Sequence, residues 1–426
     1  MPRFSVDFFT TNRQHRLDFH ACGEADLAAF FGIFAKVEDR EIKMEILQRA
    51  TPALKAAIAN FCAERRTQVP QLGAFAKLMR ALADNEGFVV VPAREWTSAQ
   101  TVVFEMLVGW SNGTVKEEDI AKHEQLFGLL LSKYNCCVAR TDQRTQIGNS
   151  QIERRTCRFC RRSKADGAKF VKQAHAISRA LGNIHLTLAD ECDDCNEFFG
   201  NELEPHLLEF LKIQRVFLGI TSRAGNPRIV SHGGVILNDG EKMVVAVPTE
   251  KLRNEDGVIT IDLEGDLPII PERCYRTLAK FALSIIPEDN LAHLARTIDW
   301  VRNGVVPSPV HALPPVQTAI VPLPPNSSAQ LSAYIRRDEK SSLPHIVGEF
   351  RLGCFLFVFC LPFSDRDVEE PDFIGSPIFD DVFQHYKNVE NWQPCAFDSR
   401  EPFEGPTVIR LTPNPNPAPA ANSPPA

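Results

Sequence analysis

Four cysteines in two closely spaced pairs constrain the fold of this chain more than any other feature. Cys157 and Cys160 form the first Cys-x-x-Cys pair, and Cys192 and Cys195 form the second. Two such pairs supply the four thiolates of a closed tetrahedral zinc site, a spacing that isolated buried thiols rarely adopt. The spacing therefore predicts a structural Zn²⁺ that holds together a segment too short to bury an adequate core by itself.

The composition indicates a globular protein of two or three domains. The chain has 426 residues, of which 44% are hydrophobic and 24% charged, and its net charge is −7. Its first residues are polar and mixed, unlike a secretory leader, so we expect reduced cysteines and a cytoplasmic location. The longest apolar run, residues 354–363, is about half the length that spans a bilayer. It predicts a buried strand, and no membrane partner is expected.

Positive charge is concentrated around the first cysteine pair. Nine basic residues lie between Arg154 and Arg179, against the single acid Asp166. Such a stretch can supply phosphate contacts, which makes DNA the expected partner and RNA the alternative. The candidate nucleic-acid contacts are Arg158, Arg161, Arg162, Lys172 and Arg179. A solvated basic face without a partner is the simpler explanation and remains open.

The rest of the sequence predicts an α+β protein. Residues 1–150 are expected to be mainly helical, with helices over 41–65, 72–84, 98–110 and 117–134 and one strand at 88–92. Residues 151–215 are expected to form the zinc domain, preceded by a linker over 141–156. Residues 216–402 predict a strand-rich mixed region with a Pro-rich connector near 306–328. Residues 403–426 predict a disordered Pro-rich tail. The flanking regions are candidates for contacts with a protein partner or a second copy.

The order of elements in the zinc segment resembles that of a known nuclease core. A strand carrying His175 is followed by a turn at Leu181-Gly-Asn183, a second strand, and a helix opened by the second cysteine pair. This order is similar to the treble-clef-like ββα-metal core of HNH nucleases, in the variety whose two Cys-x-x-Cys pairs hold structural zinc. The segments FVKQAHAISRALGN and DECDDCNEFFGNELEPHL resemble bacterial HNH-endonuclease-like proteins over residues 157 to about 210.

The resemblance implies a metal-dependent endonuclease that hydrolyses DNA. Hydrolysis of a phosphodiester requires an activated water and a stabiliser for the charge that develops on phosphate. Imidazoles titrate near neutral pH, so His175 is the candidate general base. The alternative is that His175 only caps a turn or bonds to the backbone. By the resemblance, Asn196 is a candidate catalytic residue that ligates Mg²⁺ or Mn²⁺, and the alternative is that it only caps the helix.

Two positions depart from the family pattern. Ala174 stands where the family commonly has an Asp or Glu that ligates the catalytic metal, and Asn183, which lies in the turn, is the only asparagine between His175 and the second pair. Asp190 and Glu204, with Glu191, are candidates to supply the missing metal ligand. If none does, the metal site is incomplete, which predicts a zinc-knuckle nucleic-acid-binding protein without hydrolysis. A third hypothesis makes the zinc segment a staple within a protein-interaction scaffold.

Overall fold

The computed structural model has a mixed α+β fold, which confirms the predicted class. It describes residues 3–11, 13–20, 24–38, 41–65, 69, 72–94, 96–141, 144–149, 151–221, 225, 228–231, 234–238, 240–249, 252–255, 258–263, 268–306, 313–322, 329–339, 341–367, 373–374, 376–403 and 407–411. Contacts divide the chain into two compact units. Met1–Asn135 and Asp381–His385 form the first, and Cys136–Asp380 and Tyr386–Ala426 form the second.

The first unit combines a four-stranded antiparallel sheet, in the order β2-β1-β6-β5, with helices. Strand β1 is buried on both faces, because Val6 and Phe8 enter one core and Phe9 enters another. The elements of the unit are β1 (Arg3–Thr10), β2 (Arg13–His20), α1 (Glu24–Gly32), β3 (Ala35–Glu38), β4 (Glu41–Met44), β5 (Leu47–Arg49), α2 (Pro52–Arg65), α3 (Leu72–Ala81), β6 (Gly87–Pro92), α4 (Ser98–Ser111) and α5 (Glu117–Lys133).

The prediction of a single strand in the N-terminal region is therefore wrong, although helices account for more of its described residues than strands do. The helix expected over 41–65 begins only at Pro52, and strands β4 and β5 occupy the residues before it. A proline inside a helix removes a hydrogen bond and clashes with the preceding turn, whereas the first helical position tolerates it. The helices expected over 72–84, 98–110 and 117–134 are present as α3, α4 and α5.

The zinc segment contains a short three-stranded sheet followed by a broken helix. The strand order is β8-β10-β9, in which β9 pairs antiparallel with β10 and β8 pairs parallel with it. Strand β8 lies in the predicted linker, in which no strand is expected from local pattern. The elements are β7 (Tyr134–Arg140), β8 (Thr145–Ile147), β9 (Ala174–His175), β10 (Leu186–Leu188), α6 (Asp193–Phe198), one π-helical turn (Phe199–Leu203), α7 (Glu204–Phe210) and α8 (Lys212–Phe217).

The remaining residues form three antiparallel sheets and a buried helical pair. The sheet orders are β11-β12-β13, β14-β15-β21 and β20-β16-β19-β18-β17-β7. The elements are β11 (Arg228–Ser231), β12 (Gly234–Asn238), β13 (Met243–Ala246), β14 (Leu252–Glu255), β15 (Val258–Leu263), α9 (Pro271–Ile285), α10 (Glu288–Leu291), α11 (Ala295–Asn303), β16 (Val316–Ile320), β17 (Gln330–Arg336), β18 (Ile346–Leu352), β19 (Phe355–Cys360), α12 (Pro377–Val382), β20 (Gln393–Cys395) and β21 (Thr407–Leu411).

Two segments predicted to lack structure contain strands. Strand β16 lies inside the predicted Pro-rich connector and pairs with β19 and with the edge strand β20 of the six-stranded sheet. Strand β21 lies inside the predicted tail and pairs with β15. Of the prolines near β16, the described Pro314, Pro315 and Pro322 lie outside the strand, where a missing N–H breaks no ladder. Of the two predicted segments, residues 307–312, 323–328, 404–406 and 412–426 lie outside the described residues.

The zinc segment does not pack as a separate domain ending at residue 215. One continuous core joins Leu181 and Leu207 of that segment to Leu278 of α9 and Phe350 of β18. Helix α9 is the central element of this core, since every residue from Cys274 to Ile285 is buried. None of the helices in the described residues is both long enough and apolar enough to cross a membrane.

Candidate metal centre and its surroundings

The four predicted zinc ligands converge on one point. The Sγ atoms of Cys157, Cys160, Cys192 and Cys195 all lie within 4.8 Å of one another, and Cys160 and Cys192 are 3.6 Å apart. Tetrahedral Zn–S bonds of about 2.3 Å place neighbouring sulfur atoms about 3.8 Å apart, so the cluster has the right size. Four cysteines in this arrangement could hold a metal such as zinc. Four thiolates would leave no coordination position open for a substrate.

Local backbone bonds shape both cysteine pairs. In the first pair, the Arg161 N–H donates to the Cys157 carbonyl and the Cys157 N–H to the Arg162 carbonyl, both at 2.9 Å. Arg161 closes this turn at a φ of 59°. In the second pair, Cys192 is the N-cap of α6, so Cys195 follows on the first turn of the helix. The two cysteine pairs thus bring a tight loop next to the N-terminus of α6.

Two arginines from different parts of the second unit contact the thiolates. The Arg162 guanidinium lies against Cys160 and forms an ion pair with Asp194. The Arg302 guanidinium, from α11, lies against Cys195. Both arginines line a cavity of about 500 Å³ beside the first pair. Because Zn²⁺ with four thiolates retains two negative charges, these guanidinium groups would offset the charge of a filled site.

A single buried asparagine organises the hairpin between β9 and β10. The Asn183 side-chain amide donates to the carbonyls of Ile177 at 2.8 Å and Leu186 at 2.9 Å. Its carbonyl accepts from the backbone N–H of Leu186 at 2.9 Å and of His185 at 3.3 Å. His175 lies half-buried on β9, opposite Thr187 of β10. Asn183 therefore fixes the loop that follows the strand of the candidate base.

Asn196 lies on the first turn of α6 and is partly exposed. Its backbone N–H donates to the Cys192 carbonyl at 2.9 Å, within the helix. The capping position belongs to Cys192, so the interpretation of Asn196 as a helix cap is wrong. Asp193 carries out the local anchoring, because its Oδ1 accepts from the N–H groups of Val171 at 3.0 Å and Lys172 at 2.9 Å.

Arg158, predicted to contact nucleic acid, and Asp190, predicted to bind the catalytic metal, are both buried in the interior. Arg158 is 4% exposed, and its Nε and Nη2 donate to the two Asp190 oxygens at 3.0 and 2.8 Å. Its Nη1 donates to the carbonyls of Leu283 at 2.6 Å and Ser284 at 3.0 Å, at the C-terminal end of α9. These guanidinium bonds to a carboxylate and to the last carbonyls of a helix stabilise the fold. Neither residue is positioned for phosphate or for a catalytic metal.

The other two candidate carboxylates meet a buried lysine. Lys280 of α9 lies 3.5 Å from Glu191 Oε2 and 3.5 Å from Glu204 Oε1. Its Nζ also donates to the His175 carbonyl at 2.9 Å. Burial raises the pKa of Glu191 to about 7, while the charge of Lys280 opposes that rise. Sequence reasoning missed Lys280, although a lysine inside the apolar run of α9 was a signal.

Several members of the basic stretch are paired with acids. Besides Arg162, Lys172 pairs with Glu197 at 2.8 Å and Lys164 pairs with Glu153. Glu153 directly precedes the stretch in which the sequence shows a single acid, and Glu197 follows that stretch on α6. Arg161 is exposed, Arg179 is half-buried, and the Arg162 and Lys172 side chains are 43% and 54% exposed. Four of the five predicted contacts thus remain at the surface.

Comparisons with known proteins give no assignment for the chain. No protein-family model matches it, and neither does any curated protein or solved structure.

Proposed function

We propose that this protein is an endonuclease of the HNH type that hydrolyses DNA phosphodiester bonds with His175 as the general base. The observation that carries the proposal is the cysteine cluster, which joins the loop before β9 to the helix after β10. A metal bound there would fasten the hairpin that carries His175 against α6. Four exposed or partly exposed basic side chains of the same segment would contact phosphate.

The chemistry assigned to these residues is a single displacement at phosphorus. His175 accepts a proton as water attacks, and the bond from phosphorus to the leaving oxygen breaks. The leaving oxygen takes up a proton to complete the hydrolysis. Arg161 and Lys172 are the proposed holders of the non-bridging oxygens, where negative charge accumulates. The structural metal takes no part, because four thiolates saturate it.

The catalytic Mg²⁺ or Mn²⁺ implied by the resemblance does not fit the residues present. Asp190 is bound by Arg158, and Glu204 lies against Lys280. Ala174 offers no side-chain ligand, which leaves the Asn196 amide alone among the ligands considered. Hard divalent cations require several oxygen ligands, usually with at least one free carboxylate. The proposed mechanism therefore includes no step through this metal.

A second candidate function is nucleic-acid binding without hydrolysis. The observation that favours it is that each carboxylate predicted to bind the catalytic metal forms an ion pair with a buried Arg or Lys. In that case the zinc knuckles would present Arg161, Lys172 and Arg179 to phosphate, and His175 would have no chemical role. Affinity would then depend steeply on salt, as expected where phosphate contacts dominate.

The experiment that separates the candidates combines cleavage and binding. Purified zinc-loaded protein is incubated with supercoiled plasmid at low salt, with Mg²⁺, with Mn²⁺ or after removal of free divalent ions. His175→Ala is compared with His185→Ala, a control on the same hairpin. Nicking lost only in His175→Ala supports the nuclease. Retarded DNA that is never cut supports the binding protein, and neither outcome in any condition rejects both candidates.

A further inference from the structure

Lys280 is a fully buried cation on the central helix of the core. It is 1% exposed, and it lies on α9 between Ala279 and Phe281, both fully buried. Its Nζ lies 5.5 Å from the centre of the Phe199 ring, on the π-helical turn after α6. Lysines are almost never fully buried unless they are paired, because desolvating an ammonium group costs several kcal/mol. The acceptors around Lys280 must therefore account for its position.

Three oxygen atoms from three different parts of the chain surround the ammonium group. They are the His175 carbonyl of β9 at 2.9 Å, Glu204 Oε1 of α7 at 3.5 Å, and Glu191 Oε2 before the second cysteine pair at 3.5 Å. The first two accept hydrogen bonds from Nζ, and Glu191 contributes an ion pair with the ammonium group. The Glu191 and Glu204 side chains are 0% and 16% exposed, so little water competes for them.

We propose that Lys280 is a built-in cation, which occupies the place between Glu191 and Glu204 that a divalent metal would otherwise take beside the strand of His175. The catalytic consequence of this inference rests on the proposed function, whereas the location of the Lys280 ammonium group does not. Lys280 is a positioning residue rather than a catalytic one, because its ammonium is buried and bonds to the backbone of His175. Any hydrolysis by this chain then proceeds without a metal at Glu204.

Electrostatic repulsion opposes a second cation at this point. A Mg²⁺ bound about 2.1 Å from Glu204 Oε1 would lie within about 5.6 Å of Nζ, because that oxygen is 3.5 Å from the ammonium. The two positive charges would repel each other strongly in a site that excludes water. Lys280 also neutralises carboxylates that would repel an approaching phosphate. The lysine therefore takes over the charge-balancing role of a metal, and it fixes β9 at the same time.

Binding of Mn²⁺ to the full-length, zinc-loaded chain tests the inference without requiring nuclease activity. Titrations followed by electron paramagnetic resonance compare the wild type with Glu204→Gln, which removes one carboxylate charge at nearly constant shape. The proposal expects the same Mn²⁺ affinity in both, because Glu204 already pairs with Lys280. A tenfold or larger loss of affinity in Glu204→Gln would mean that Glu204 binds the metal, and the proposal would be overturned.

Removal of the ammonium provides the second arm. Lys280→Met keeps the length of the side chain but frees both carboxylates, and it is expected to gain a Mn²⁺ site at least tenfold tighter than any in the wild type. The added site should vanish in the double variant with Glu204→Gln, and Lys280→Arg should lack it. A folded, zinc-containing Lys280→Met without added Mn²⁺ binding would contradict the proposal. If Lys280→Met fails to fold, the comparison of the wild type with Glu204→Gln decides.

Plasmid cleavage distinguishes failure of this inference from failure of the proposed function. Absent cleavage with the expected Mn²⁺ titrations rejects the nuclease but leaves Lys280 as the internal cation. Cleavage that requires Mg²⁺ and falls tenfold or more in Glu204→Gln supports the nuclease but rejects the inference.

Discussion

Arg158 and Asp190 form a buried, bidentate ion pair that joins the first cysteine pair to the residues just before the second. The two bonds measure 3.0 and 2.8 Å, and the same guanidinium binds the last carbonyls of α9. The pair therefore couples the candidate zinc site to the central helix of the core. Both residues were predicted to be functional, and both stabilise the fold instead.

Replacement of Arg158 by Met should strongly destabilise the second unit. The substitution leaves Asp190 charged and buried without its partner, a situation that costs about 3–5 kcal/mol. Chemical denaturation followed by circular dichroism measures the loss, with the exposed Arg154→Met as the control expected to stay within about 0.5 kcal/mol. The double variant Arg158→Met/Asp190→Asn should recover part of the stability. A single-variant loss below about 1 kcal/mol would show that the pair carries little stability.

Zinc content should depend on the tetrad and on no other cysteine tested. Cys195→Ser removes one of four ligands, so purified protein is expected to fall from about one Zn²⁺ per chain to far less than one. Cys354→Ser changes a half-buried thiol outside the cluster and should retain the metal. Elemental analysis of both variants checks the prediction. Equal zinc in Cys195→Ser and the wild type would exclude the tetrad as the binding site.

Asn183→Ala should destabilise the hairpin that carries His175. The change leaves two carbonyls and two N–H groups without their side-chain partner in a buried loop, at a cost of about 2–4 kcal/mol. Asn303→Ala, at an exposed position at the end of α11, is the matched control. Denaturation curves and hydrogen exchange across residues 174–188 report the difference. Unchanged exchange in Asn183→Ala would remove Asn183 as the organiser of the loop.

Acid should destabilise the second unit through His345. Burial, with the nearby charges of Arg366 and Arg336 and with His293, lowers the pKa of His345 to about 3. The unfolded chain binds a proton on this residue near pH 6.5, while the folded chain does not. Stability is thus complete above about pH 6.5 and is lost as the pH falls toward 3.

The contribution of His345 is isolated by a variant that cannot take up the proton. Between pH 7 and pH 5 this group alone accounts for a loss of up to about 2 kcal/mol in the free energy of unfolding. His345→Asn should therefore show a shallower decline over that interval, whatever its stability at pH 7. Parallel slopes in the variant and the wild type would mean that His345 takes up its proton as readily in the folded state as in the unfolded chain.

Local patterns predicted the parts of the candidate site that depend on short spacing. The cysteine pairs need only i, i+3 positions, and the strand, turn, strand and helix between and after them follow from nearby residues. Lys280 and Arg158 were not predicted in their roles, because their partners are 76 and 32 residues away in sequence or farther. A short stretch of sequence shows that these residues are charged, but it does not show which distant residues pair with them.

The fold errors have a related cause. Strand β1 has the apolar–polar alternation of a strand from Phe4 to Phe8, a local signal that the predicted helical region passed over. The strands β16 and β21 lie among prolines that suggest disorder. Strands β16 and β21 are stabilised by ladder bonds to distant partners, β19 for β16 and β15 for β21, whereas β1 also pairs with the adjacent strand β2. Pairing over such distances depends on tertiary structure, which overrides local propensity.

The measurement that tests the central proposal most directly is the single-turnover rate of cleavage of an end-labelled DNA duplex by zinc-loaded protein. The account predicts cleavage by the wild type and by His185→Ala, and a loss of at least about 100-fold in His175→Ala, because general-base catalysis typically contributes that much. DNA binding by His175→Ala should be unchanged in a parallel retardation assay. Equal rates in His175→Ala and the wild type, or firm binding by the wild type with no cleavage at all, would contradict it.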